Sequence, residues 1–216
     1  MERMKPKDIH LIQFLARLEK PHFTVADLEK ILGLKRPSLY VTLHRLVQYG
    51  VLERLRRGIY QLALRPSDIP RTANLLYMPS YLSFESALAR YGILSQVPYA
   101  VTFATTRRSK RITLGATLVE FHQLSDNLFF GYILEQGLYM AAPEKALLDT
   151  LYLVKRGKIS LDFSSLRLTN LSPERLLAHA AHFPLYVQEA IHGLTANDRM
   201  PILKPGPQAK SADRET

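Results

Sequence analysis

The chain has 216 residues, enough for one large domain or two small ones, with 47% hydrophobic residues to build a core and 22% charged. Cysteine is absent, which excludes disulfides, thiol catalysis and cysteine-based zinc sites and fits a reducing cytoplasm. The formal charge of +10 points toward a polyanionic partner. No apolar run reaches the roughly 18 residues of a membrane span, and the charged N-terminus lacks the apolar stretch of a signal peptide, so a cytoplasmic protein without a membrane partner is expected.

Residues 7–18 carry Ile9, Ile12, Phe14, Leu15 and Leu18 at helical spacing, which predicts an amphipathic first helix. Residues 24–62 then read as a helix-turn-helix with a wing. Thr24 suits an N-cap, with Asp27 three residues on as in a capping box. Val25, Leu28, Ile31 and Leu32 recur at helical spacing, Gly33 stops that helix, and Pro37 suits the first turn of the next. On the second helix Leu39, Leu43, Leu46 and Val47 form one apolar stripe. At ~100° per residue the opposite face carries Ser38, Val41, His44, Arg45 and Gln48, with Tyr40 and Thr42 at the margins. That face has donors, small groups and no acid, as a helix reading base edges requires. Gly50 ends the helix. Residues 51–55 and 59–62 predict two strands around Arg56-Arg57-Gly58, a basic wing tip suited to phosphate or the minor groove.

Residues 1–66 hold 13 Lys/Arg against 6 Asp/Glu, so +7 of the total +10 lies in less than a third of the chain. This concentration favours DNA as the partner, whereas a winged domain that binds protein has no need of it. Ser38, Tyr40, Val41, Thr42 and Arg45 are the candidate base readers; Lys35, Arg36, Arg56 and Arg57 are the candidate phosphate contacts.

Two prolines and an aspartate in residues 65–70 mark a linker or helix start, and the domain boundary is set there. Beyond it a helix is predicted from Ser83 to Tyr91, capped by Gly92, and a strand over residues 98–105. A basic loop follows, with Arg107, Arg108, Lys110 and Arg111: either a clamp for nucleic acid or an acidic partner, or a solvated hairpin tip. Residues 116–123, 128–134 and 138–142 are short, apolar and β-prone, which predicts a small, mainly antiparallel sheet. A helix is predicted from Pro143 to about Val154, others from Ser172 and over residues 183–191, and a disordered tail over 200–216. The fold class is therefore α+β: a winged helix-turn-helix over residues 1–66, then a mixed α/β domain over 67–199 with C-terminal helices.

Several segments, taken in order, resemble a known family. They are Tyr81-Leu82-Ser83-Phe84-Glu85-Ser86-Ala87-Leu88 with Tyr91-Gly92, Val101-Thr102, Thr105-Thr106-Arg107-Arg108, Phe130-Gly131-Tyr132, and Ala142-Pro143-Glu144-Lys145-Ala146-Leu147-Leu148-Asp149. Over roughly residues 5–160 the chain is similar to the AbiEi-type antitoxins, transcriptional regulators of abortive-infection (type IV) toxin–antitoxin pairs involved in phage defence. The resemblance implies a winged helix that represses its own operon by binding the promoter as double-stranded DNA. It also implies a second domain that counters a nucleotidyltransferase-like toxin encoded beside it. Palindromic operators imply a homodimer or cooperative monomers.

Two other chemistries stay open from residue types alone. Glu120, Glu144, Lys145 and Asp149 are the carboxylates and lysine a metal-dependent nuclease would use, against a plainer role in capping and an i,i+4 ion pair. A protein-binding adaptor that sequesters a toxin is the other. His179 and His182 meet at i,i+3 but lack a third ligand. No enzyme activity, metal or cofactor is expected.

Overall fold

The structure, a computed structural model, describes residues 6–162 and 165–196. It is α+β, with two sheets and two hydrophobic cores. The first unit runs α1 (Pro6–Arg17), β1 (Phe23–Thr24), α2 (Val25–Leu32), α3 (Arg36–Gln48), β2 (Leu52–Arg56) and β3 (Ile59–Leu62). The three strands form an antiparallel sheet in the order β1-β3-β2, with Phe23 opposite Tyr60 and Leu52 opposite Leu62. At two residues, β1 is too short to carry a periodicity, so nothing in the sequence pattern announces it. Leu15, Phe23, Leu28, Leu39, Leu43, Leu46 and Leu52 fill the core between helices and sheet.

On α1 the expected inward face is corrected. Leu15 is fully buried and Leu11, Ile12 and Ala16 pack beside it, whereas Ile9, Phe14 and Leu18 are exposed. Residues 11, 12 and 15 share a narrow stripe, and Phe14 lies about 100° away from Leu15 on the helix.

A helix opens the second unit where residues 65–70 offered a linker or helix start. Asp68 caps α4 (Ile69–Leu76) by accepting from Arg71 N at 3.0 Å, with Pro70 in the first turn. Next come β4 (Ser80–Leu82), α5 (Phe84–Arg90), β5 (Val101–Thr105), β6 (Lys110–Leu114), β7 (Thr117–Gln123), β8 (Tyr132–Glu135), β9 (Leu138–Ala141) and α6 (Pro143–Lys155). α7 (Pro173–Ala180) and α8 (Leu185–Ala196) complete it. The sheet has six strands in the order β6-β7-β5-β4-β9-β8. Its two parallel pairings, β5 with β7 and β4 with β9, alternate with three antiparallel ones, so the sheet is larger and more mixed than expected. The three-residue β4, buried throughout, is an inner strand. Asn74 ties α4 to it: the side-chain amide donates to the Ser80 carbonyl at 2.6 Å, and its oxygen accepts from Tyr139 N on β9 at 3.2 Å.

Two further segments differ from the sequence reading. The basic loop is shorter, because β6 begins at Lys110, which pairs with Phe121 of β7, and the ladder runs back to Leu114 opposite Thr117. Residues 128–134 are not one strand: a 3-10 turn covers Asp126–Leu128, and β8 starts only at Tyr132. The expected tail, residues 200–216, lies outside the described residues.

The two cores meet at the β2–β3 hairpin. Leu55 belongs to the second core, and Ile59 packs against it. The Leu55 carbonyl also accepts from Gly115 N at 2.8 Å. The basic hairpin is thereby held against the outer strand β6 of the large sheet.

Candidate nucleic-acid interface

The first unit is assembled by local signals that the sequence carries openly. The Thr24 hydroxyl accepts from Asp27 N at 3.1 Å, and the Asp27 carboxylate accepts from Thr24 N at 2.9 Å, a reciprocal capping box. Lys20 pairs with Asp27 at 3.0 Å, and this bonding holds the Asp27 carboxyl below its ordinary range despite partial burial. Gly33 ends α2 at φ 62°, the left-handed conformation that favours glycine. Lys35 then opens α3 with Pro37 in its first turn.

α3 buries Leu39, Leu43 and Leu46 and turns its other face outward. Val41 is 72% exposed and Tyr40 51%. Ser38 and His44 are exposed as well, and Lys35 and Arg36 stand free of the core at the N-terminal end. Arg36 lies 3.6 Å from Glu29 on α2, an exposed pair that solvent screens.

Two expected base readers are less available. Arg45 is half-buried. Thr42 is also half-buried, and its hydroxyl donates to the Ser38 carbonyl at 3.0 Å, which leaves it only as an acceptor toward a ligand.

The hairpin stands beside this face. Tyr40, His44 and Val47 of α3, with Arg54 and Arg57, line a cleft of about 270 Å³. Gly58, at φ 82°, makes the turn that Arg56 and Arg57 flank, and both arginines are exposed. The structure thus brings Tyr40 and Arg57 together, and it adds Arg54 and His44 to the expected set. Arg54 precedes a register shift in β2, between Arg54 and Arg56. That irregularity is invisible in the sequence.

The second basic cluster divides. Arg107 sits over the Tyr77 ring at 4.2 Å and donates to the Met78 carbonyl at 3.2 Å. Arg108 and Lys110 are exposed, and Lys110 is 5.0 Å from the same ring. Arg111, directly opposite Glu120 across β6 and β7, pairs with it at 2.8 Å.

The nuclease candidates are each engaged with partners inside the fold. Lys145 and Asp149 are fully buried and paired on successive turns of α6. Lys145 Nζ donates to the Tyr81 hydroxyl at 2.9 Å, which donates to Asp149 at 3.0 Å, and Ser83 donates to Asp149 at 2.8 Å. The lysine also faces the rings of Phe130 and Phe183. Burial pushes the Asp149 carboxyl up and the Lys145 ammonium down from their ordinary values, each opposed by the other's charge. Glu144 accepts from Ser172 N at 2.8 Å, at the start of α7. His179 and His182 lie against the Phe130 ring, with centroids 5.6 and 4.9 Å away. Among the described residues no three His, Asp or Glu side chains are grouped to hold a metal, and no helix is long and apolar enough to cross a membrane.

No curated protein sequence matches the chain significantly. In fold it is similar to the crystal structure of the Rv2827c protein from Mycobacterium tuberculosis, with a TM-score of 0.64 and 17% identity, over 93% of this chain and 80% of that one. At that identity the likeness is one of architecture. The family match falls on the first unit rather than on the α6 segment where the sequence resemblance is densest: residues 10–63 match the model of the family described as transcriptional regulator, AbiEi antitoxin.

Proposed function

We propose that the protein is a non-enzymatic, DNA-binding transcriptional regulator, the antitoxin and autorepressor of an abortive-infection-type operon. Its residues 1–66 act as a winged helix-turn-helix and residues 67–199 as the regulatory domain. One observation carries the reading. α3 leaves Ser38, Tyr40, Val41 and His44 open to solvent, beside a hairpin whose Arg54 and Arg57 line a cleft that no acid lines among the described residues. A helix in the major groove with an adjacent basic wing uses such a surface. The match of this same segment to regulators supports it.

In this reading Ser38, Tyr40 and Val41 contact base edges, while Lys35, Arg36, Arg56 and Arg57 hold phosphates. Thr42 and Arg45 contribute mainly by setting the helix. The test is salt-titrated binding to the DNA upstream of the protein's own gene, against a scrambled duplex. A preference that survives added salt supports the regulator. Equal and steeply salt-dependent binding to both duplexes would leave only charge at work and overturn sequence-specific repression. Arg57→Ala should weaken both duplexes alike and reduce the salt slope by about 1.

A further inference from the structure

The basic hairpin does not end the positive surface. Arg56 and Arg57 share a cleft of about 220 Å³ with Lys110 and Tyr77 of the second unit. Lys110 also lines a larger concavity on the far side, about 800 Å³, between β6–β7 and the end of α6. Arg111, Arg156 and Lys158 stand around that concavity, and all three are exposed. Among the described residues the carboxylate that lines it is Glu120, already neutralised by Arg111.

The end of α6 is built to tolerate an anion, although a helix C-terminus ordinarily repels one. Gly157, at φ 62°, lets the chain turn back. Lys158 N then donates to the Leu153 carbonyl at 2.9 Å and Gly157 N to the Val154 carbonyl at 2.9 Å. This cap satisfies two of the orphan carbonyls and sets Arg156 and Lys158 on either side of the turn. Arg156 rests on the Tyr152 ring, 5.2 Å from its centroid, which holds the guanidinium at the rim.

We propose that DNA leaving the wing crosses β6 and seats its phosphate backbone in this concavity, held by Lys110, Arg156 and Lys158. The operator contact is then longer on the wing side than a winged helix alone would make. The inference rests on the DNA-binding reading of the first unit. The hairpin's attachment to β6 through Leu55 and Gly115 keeps the two basic surfaces in fixed register, so both engage one duplex without a rearrangement.

The experiment uses the full chain, the Arg156→Glu/Lys158→Glu double variant and a milder Arg156→Gln/Lys158→Gln pair. Each is titrated against two duplexes: the bound site with about one extra helical turn on each side, and the site trimmed of those flanks. Melting curves check that the variants fold; the side chains are exposed, so no shift is expected. The expected result is a loss on the order of tenfold for the charge reversal on the flanked duplex, with the salt slope lower by about 2, and no loss on the trimmed one. Equal affinity and slope on the flanked duplex would overturn the proposal. So would an equal loss on both duplexes, since the charges would then act through the overall field, and so would tighter binding of single-stranded RNA by the same cleft. Failure of the underlying reading looks different: the unaltered protein would not distinguish its site from scrambled DNA, and both proposals would fall.

Discussion

α3 and α6 are both 13 residues long, and both place a proline in the first turn. Their fates are opposite. α3 buries three leucines and leaves its polar face in water, whereas α6 buries ten of its residues, including Glu144, Lys145 and Asp149. The contrast separates two meanings of a polar residue on a helix. On α6 the charged groups find their partners inside the molecule: Tyr81, Ser83, the start of α7, and one another. On α3 Ser38, Tyr40, Val41 and His44 instead stay open to solvent. The family-like segment on α6 therefore serves the architecture, and in the proposed reading the plainer stretch on α3 is the working surface.

The largest effect should come from breaking the buried network. Asp149→Ala removes the acceptor of three hydrogen bonds and leaves the Lys145 ammonium unpaired in a dry core. Uncompensated buried charges of this kind cost about 3–5 kcal/mol, so a large drop in the denaturant midpoint is expected. A change under about 1 kcal/mol would mean that water reaches the pair, and the division between the two helices would lose its basis.

The reverse experiment belongs to α3. Tyr40→Ala and Val41→Ala should each leave stability within about 0.5 kcal/mol, since both side chains are largely exposed. Discrimination between operator and scrambled DNA should fall by about 1–3 kcal/mol for each base edge that the variant no longer reads. If these variants lower the midpoint but not the discrimination, the exposed face is serving the fold and the recognition assignment fails.

The difference between the helices also explains what could be read in advance. α3 was legible because its signals are local: a glycine stop, a proline start, an apolar stripe with an acid-free face opposite, and a turn glycine between two basic strands. The large sheet was not. β4 is three residues long and gains its central place from β5 and β9, far away in sequence, so no window of sequence contains the signal. Lys110 and Arg111 read as loop because charge dominates their composition, yet pairing with Phe121 and Glu120 makes them strand. The charges of α6 could be paired by spacing alone, Lys145 with Asp149. Their burial could not be read, because it depends on Tyr81 and Ser83 arriving from β4 and the turn after it. In the candidate interface, Arg54 and the half-burial of Arg45 were likewise set by tertiary contacts.

A smaller effect tests whether α2 holds α3 in place. Thr24→Ala breaks the capping box and frees Asp27 N, which should cost about 1 kcal/mol. Asp27 keeps its bond to Lys20, so the loss should stay below that of a helix end with no remaining support. A denaturant midpoint indistinguishable from that of the parent would assign the geometry of the turn to Gly33 alone.

The smallest effect concerns His122, which lines the concavity beside Glu120. Burial holds its imidazole below the ordinary value of 6.5, with Arg111 acting in the same sense and Glu120, 3.3 Å from Nε2, opposing both. The folded protein therefore takes up this proton less readily than the unfolded chain does. The stability that the neutral ring contributes is fully present above about pH 6.5 and is lost as the pH falls through the lowered value. His122→Gln removes that dependence, so the gap between parent and variant should shrink in favour of the variant from about pH 7.5 to about pH 5, read from paired denaturation curves. A gap that instead widens in favour of the parent would mean that Glu120 wins and the ring is charged when folded. The concavity would then carry a further cation at mildly acidic pH, and its affinity for a phosphate backbone should rise with acidity rather than stay flat.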